Sequence, residues 1–148
     1  EKVRKVMTAL NRYARDAAAE YSVNACTDIT GFGLLGHLLE MARGSGVAFR
    51  IRSSSIPVLE EAKEYASMGL VPVGAYRNRE FAGPHVRMYG VEEWMQDLLF
   101  DPQTSGGLCF SLPEEQAGRL CQKLSESDIP AAVIGAAEEK QEKFLLVE

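Results

Sequence analysis

This chain has no apolar run approaching the roughly 18 residues that a membrane-spanning helix needs, and its amino terminus carries no signal-peptide pattern. A cytoplasmic protein without a membrane partner is the expectation. Cysteine is scarce: Cys26, Cys109 and Cys121 are odd in number and lack C-x-x-C spacing, which argues against a disulfide framework or zinc knuckle and for reduced thiols. Basic charge is not in excess, since 16 Lys and Arg stand against 21 Asp and Glu for a net −5. No general field therefore favours nucleic acid, and any phosphate site must be local. Neither G-x-G-x-x-G nor G-x-x-x-x-G-K-[ST] occurs, so a complete nucleotide-binding domain is not visible. Internal repeats and low-complexity tracts are missing too.

What remains is an ordinary globular composition, 46% hydrophobic and 25% charged over 148 residues. That length fits one domain able to bury about two-thirds of its unfolded surface, with no need of a metal or disulfide staple. The chain opens at Glu1 within a helical pattern, which reads as a piece of something longer.

Val3, Val6, Met7, Leu10, Tyr13, Ala14, Ala17, Ala18 and Tyr21 recur at helical spacing, with Arg4, Lys5, Arg12 and Arg15 between them, predicting one amphipathic helix. A short strand follows at 25–29. Thr30 is placed to cap a helix that buries Phe32, Leu35, Leu38, Leu39 and Ala42 and ends at Gly44 or Gly46. Val47, Phe49 and Ile51 alternate as a half-buried strand. A further helix starts near Ser55 with Pro57 in its first turn, turns Leu59, Ala62, Tyr65 and Ala66 inward, and closes at Gly69. Residues 70–90 show no sustained period and read as a long loop. A short helix around Trp94 and Leu98, a strand through Leu108, Phe110 and Leu112, a helix over 113–127 and closing strands at 131–135 and 144–147 complete the reading. The mixture predicts an α+β domain, a mixed sheet covered by helices.

Two blocks carry the chemistry. Residues 26–37 read Cys-Thr-Asp-Ile-Thr-Gly-Phe-Gly-Leu-Leu-Gly-His, and residues 101–107 read Asp-Pro-Gln-Thr-Ser-Gly-Gly. In the first, Asp28 ends an apolar segment and glycines bring bare backbone N–H groups to a helix start, an arrangement suited to a metal ion beside an anion. Taken alone, Asp28 before Thr-Gly is better explained by a turn or cap than by metal binding. Gly31 and Gly33 are candidates for the cleft and Gly36 for helix packing. In the second block, Thr104, Ser105, Gly106 and Gly107 line up hydroxyls and amides that can form an anion nest, though taken alone they read first as a turn feeding the next strand. Asp101 fixes that turn through Pro102, and His37 is read as a structural hydrogen-bonder. Arg77, Asn78, Arg79, His85 and Arg87 form a basic cluster in the apparent loop. Cys26 is a poor nucleophile beside Asp28, whose charge raises a thiol pKa, and Cys109 and Cys121 read as core.

Together the blocks resemble the carboxyl-terminal half of selenophosphate synthetase (selenide, water dikinase), in the superfamily that includes aminoimidazole ribonucleotide synthetase. The likeness runs from about Ala25 to the end. It implies a three-layer α/β/α domain with partial ferredoxin-like character. It also implies ATP-dependent formation of selenophosphate, AMP and orthophosphate from selenide and water. By that resemblance Asp28 supplies a Mg²⁺ ligand, and Thr27, Thr30, Gly31, Gly33, Thr104, Ser105, Gly106 and Gly107 line the nucleotide cleft. No catalytic residue lies in this chain: the reactive Cys or selenocysteine and its Lys belong to an amino-terminal ATP-binding domain, and the full-length enzyme is expected to be a homodimer. Arg77-Asn78 is similar to a Gly-Gly-x-x-Arg-Asn pattern of the family, with Val73-Gly74-Ala75 in place of adjacent glycines. The alternatives are another ATP-dependent member of the superfamily, such as a hydrogenase-maturation protein, thiamine-monophosphate kinase or purine-pathway synthetase, and a non-catalytic binding module of the same fold.

Overall fold

The computed structural model describes residues 2–127 and 129–148. The amino-terminal period resolves into two helices, α1 (Lys2–Thr8) and α2 (Arg12–Ala18), where one was expected. Val3, Val6, Met7 and Leu10 are exposed, so no packed face holds a continuous helix across residues 9–11. Strand β1 (Ala25–Asp28) follows, then α3 (Gly33–Ser45), which buries Leu35, Leu38, Leu39 and Ala42 as the spacing predicts. Gly46, at φ 68°, closes α3 by donating its N–H to the carbonyls of Ala42 and Arg43. Two details differ from expectation. Phe32 stands at the N-cap position and is exposed, its ring stacked on Phe81 at 6.2 Å. Thr30 does not cap the helix, because its hydroxyl is engaged with His37.

Strand β2 (Ala48–Ile51) leads into a 3₁₀ turn at Ser53–Ser55 and then α4 (Glu60–Ser67). The helix does not begin near Ser55. Ile56 precedes Pro57 and is extended (φ −81°, ψ 122°), as the clash with a following proline ring requires. Ala66 is buried and Tyr65 exposed.

The largest departure is at 70–90, which is not a loop. It forms α5 (Val73–Ala82), a 3₁₀ turn at Gly83–His85 and β3 (Val86–Met88). The inward positions of α5 are Ala75, Asn78 and Ala82. Their spacing is helical, but two are small and one is polar, so no apolar period shows in the sequence. The basic cluster is correspondingly tied down. Arg79 donates to Asp97 (3.2 Å) and Gln96 (2.8 Å), Arg87 lies 3.5 Å from Glu142, and His85 hydrogen-bonds Arg43.

Helix α6 (Glu93–Leu99), β4 (Leu108–Ser111), α7 (Glu114–Glu126), β5 (Gly135–Glu138) and β6 (Leu145–Val147) follow. The penultimate strand lies later than the expected 131–135, because β2 ends at Ile51, opposite Gly135, and an antiparallel partner starts where its neighbour stops. Four strands form a mixed sheet in the order β3-β6-β2-β5, with β2, β6 and β3 parallel and β5 antiparallel at the edge. Strands β1 and β4 make a separate antiparallel pair. The main core joins Leu35, Leu39 and Ala42 of α3 to Ile51, Leu99, Phe100, Leu145 and Val147. A smaller one gathers Ala18 of α2 with Leu120 and Leu124 of α7. Cys109 packs on the first and Phe110 on the second, so the β1–β4 pair divides them. Helix α2 is thereby held over one face of β1. No helix among the described residues is long and apolar enough to cross a membrane.

Candidate functional site

Along β1 exposure alternates, with Cys26 and Asp28 outward and Ala25 and Thr27 half-buried. Asp28 is paired in register with Leu108 of β4. The chains stay together beyond the strands: Ile29 N–H donates to the Gly107 carbonyl (2.9 Å) and Gln103 N–H to the Thr30 carbonyl (3.0 Å). The two glycine blocks, distant in sequence, thus run side by side. Gly106 is required by that approach, since a Cβ there would lie 2.0 Å from the Ile29 carbonyl oxygen.

Asn78 of α5 braces the junction. Buried, it donates through Nδ2 to the carbonyls of Gly31 and Phe100, both at 2.9 Å. Gly33 was expected at the cleft but is buried: at φ 69° it presses on Phe100, whose carbonyl carbon would be 2.7 Å from an added Cβ. Its role is packing, as Gly36's is against Phe32. His37 is buried, with Nε2 2.9 Å from the Thr30 hydroxyl and Nδ1 3.3 Å from Glu40, which holds the turn in place. Asp101 accepts from Gln103 through Oδ2 (2.9 Å), while its Oδ1 is buried without a partner among the described residues. Burial holds that carboxyl above the usual carboxylate range, against the Gln103 hydrogen bond that lowers it.

An open pocket of about 570 Å³ lies against Asp28. Thr27, Asp28, Cys26 and Leu108 form its floor, and Asn11, Arg12 and Arg15 its other wall. Asn11 Nδ2 donates to the Gly106 carbonyl (3.0 Å), tying the start of α2 to the second block. Thr30, Gly31 and residues 104–107 lie beside this pocket, outside its walls. Thr104, Ser105 and Gly107 are nevertheless exposed, with hydroxyls and backbone facing solvent at the junction. The pocket's arginines and Asn11 were not singled out as site residues from the sequence. The available signal was the pair of arginines three residues apart on the polar face of the first helical pattern.

Cys26 borders the pocket, yet burial first and the Asp28 carboxylate second push its thiol up, away from nucleophilic thiolate. Cys109 is pushed up to about 11, by burial and then by Cys26. The Asp28 carboxylate itself has no hydrogen-bond or ion-pair partner among the described residues. Nor, among them, does any cluster of three or more His, Cys, Asp or Glu exist that could cage a metal. A single unpaired carboxylate fits Mg²⁺, which takes one or two protein carboxylates and completes its shell with waters and phosphate oxygens.

The family described as "AIR synthase related protein, C-terminal domain" matches residues 2–148. The chain belongs to that family. This AIR synthase related domain is 47% identical over 148 residues to "Selenide, water dikinase 2" of Peptoclostridium acidaminophilum, across 99% of the chain and 43% of that protein. It is 45% identical over 148 residues to "Selenide, water dikinase" of Treponema denticola, across 97% of the chain and 42% of that protein. The domain thus spans a little over two fifths of the length of these relatives. The resemblance read from the two glycine blocks is borne out. Among solved structures, thiamine-monophosphate kinase from Stenotrophomonas maltophilia K279a superposes with a TM-score of 0.61 at 20% identity, over 88% of this domain and 33% of that chain. At that identity the likeness is one of fold, and it agrees with the mixed sheet flanked by helices.

Proposed function

We propose that this chain is the carboxyl-terminal domain of a selenophosphate synthetase whose full-length form converts ATP, selenide and water into selenophosphate, AMP and orthophosphate. The observation that carries the reading is the Asp28 carboxylate, unpartnered among the described residues at the end of β1 where the two glycine blocks meet, facing a pocket wall that bears two guanidinium groups. Relatives named selenide, water dikinase support the choice of substrate.

In this reading Asp28 offers an anionic oxygen to Mg²⁺ without first having to break a salt bridge. The bound ion would neutralise charge along the polyphosphate, as in phosphoryl transfer generally. Thr27 and Thr30 stand on either side of Asp28 in the chain, and the exposed hydroxyls of Thr104 and Ser105 would give the nucleotide or its products one polar wall. The chemical step, through a reactive Cys or selenocysteine with its Lys, belongs to an amino-terminal ATP-binding domain. The whole enzyme is proposed to be a cytoplasmic homodimer.

Asp28→Asn tests this in the full-length protein. A neutral amide oxygen replaces an anionic ligand of a hard cation, so the variant should fold normally, form selenophosphate at least about tenfold more slowly and need more Mg²⁺. Unchanged turnover at limiting Mg²⁺ would remove the metal role.

A further inference from the structure

Arg12 and Arg15 lie three residues apart on α2, so they share a helix face, and both line the pocket opposite Asp28. Two guanidinium groups on one face balance the carboxylates of Asp16 and Asp28 beside them, and the arginine fork matches the geometry of an oxyanion with two acceptor oxygens. The pair already holds one. Arg15 donates to Asp16 Oδ1 through Nη2 (2.6 Å) and Nε (3.0 Å), and Arg12 Nε lies 3.7 Å from Asp16 Oδ2. All three side chains are more than half exposed, at 69%, 68% and 52% for Arg12, Arg15 and Asp16. An ion pair that wet contributes little and exchanges readily. A phosphate group carries more charge than a carboxylate and accepts from both arginines at once. The position of α2 is fixed from its start by the Asn11 bond to Gly106, so the guanidinium groups are presented at the glycine junction.

We propose that Arg12 and Arg15 form a phosphate clamp in which the Asp16 carboxylate is an internal occupant, displaced when a phosphoryl oxyanion enters the pocket beside Asp28. The ligand is either a phosphate of the bound nucleotide or the released orthophosphate. The clamp rests on the reading of Asp28 as a phosphate-side residue, but its deciding titration uses neither metal nor selenide.

The test is calorimetric titration of the full-length protein with inorganic phosphate in chelator-treated buffer. Arg15→Gln should weaken phosphate binding roughly tenfold and Arg12→Gln roughly threefold, in line with the loss of charge-assisted hydrogen bonds. Asp16→Asn should tighten it roughly threefold, because the competing carboxylate is gone. A damaged helix cannot produce that gain. A second titration, with a non-hydrolysable ATP analogue and Mg²⁺, separates the sources. Weakening by Arg15→Gln of inorganic phosphate alone assigns the clamp to the product, and weakening of both ligands assigns it to the nucleotide. Unchanged phosphate binding in Arg15→Gln, or Asp16→Asn that binds no tighter than the parent, overturns the clamp. If Asp28→Asn leaves turnover intact while the arginine and Asp16 variants shift phosphate binding as stated, the metal role falls and the clamp stands.

Discussion

Gly31, in the turn after β1, and Gly106, in the segment before β4, sit at the same junction, yet an added methyl group would meet opposite fates at the two. At Gly106 it would be driven against the Ile29 carbonyl oxygen at 2.0 Å, a backbone atom that cannot rotate away. At Gly31 it would meet nothing within 4 Å. Gly106→Ala should therefore cost about 1–3 kcal/mol, as overpacking does, and Gly31→Ala less than about 1 kcal/mol. Urea unfolding of the two variants checks this, and equal losses would mean that the block-to-block contact is not where the stability lies. The place of Asp28 at the end of a strand, before glycines, was legible in the sequence because that setting is local; its metal role came from the resemblance and stands as a proposal. Arg12 and Arg15 were visible as charges but not as pocket residues. Which way they face depends on the break at residues 9–11 and on the Asn11 bond to Gly106, a contact 95 residues away in the chain.

Helix α5 shows the same limit at the scale of an element. A 3.6-residue period is read from large apolar side chains, and α5 turns inward Ala75, Asn78 and Ala82 instead. Helix α3 and strands β1, β2 and β4 were legible because their buried positions are apolar or bounded by glycine. What α5 contributes is a brace: one amide that serves carbonyls from both sides of the junction. Asn78→Ala strands those carbonyls and should destabilise by about 1–3 kcal/mol. Asn78→Asp is closer in shape but brings acceptors up to two acceptors, so it should be worse than Ala. Thermal and urea unfolding would rank them. If Asp is tolerated better than Ala, the amide's donors do not carry the effect. The adjacent contact of Gly74 with the Pro102 ring, 2.6 Å from an added Cβ, brings α5 against the second block by another route.

At the scale of the whole molecule, the fold and the site have different degrees of self-sufficiency. Phe100, Leu35, Leu39, Ile51, Leu99, Leu145 and Val147 are fully buried, drawn from α3, the four-stranded sheet and the segment around α6. That cluster closes among the chain's own described residues, and a domain of 148 residues is long enough to bury a core of its own. The site is different. It offers one unpaired carboxylate, no cluster of metal ligands among the described residues, and an open pocket. In the proposed reading, Mg²⁺ held by a single carboxylate would depend on phosphate oxygens of the nucleotide and on ligands from a further domain. The 148-residue chain expressed by itself should therefore unfold in one cooperative urea transition and show no saturable Mg²⁺ binding tighter than about millimolar. It should also form no selenophosphate from ATP and selenide. Tight Mg²⁺ binding or selenide-dependent turnover by this chain alone would mean that the site is complete within it, and Asp28 would then be one member of a metal centre rather than one domain's contribution to a shared one.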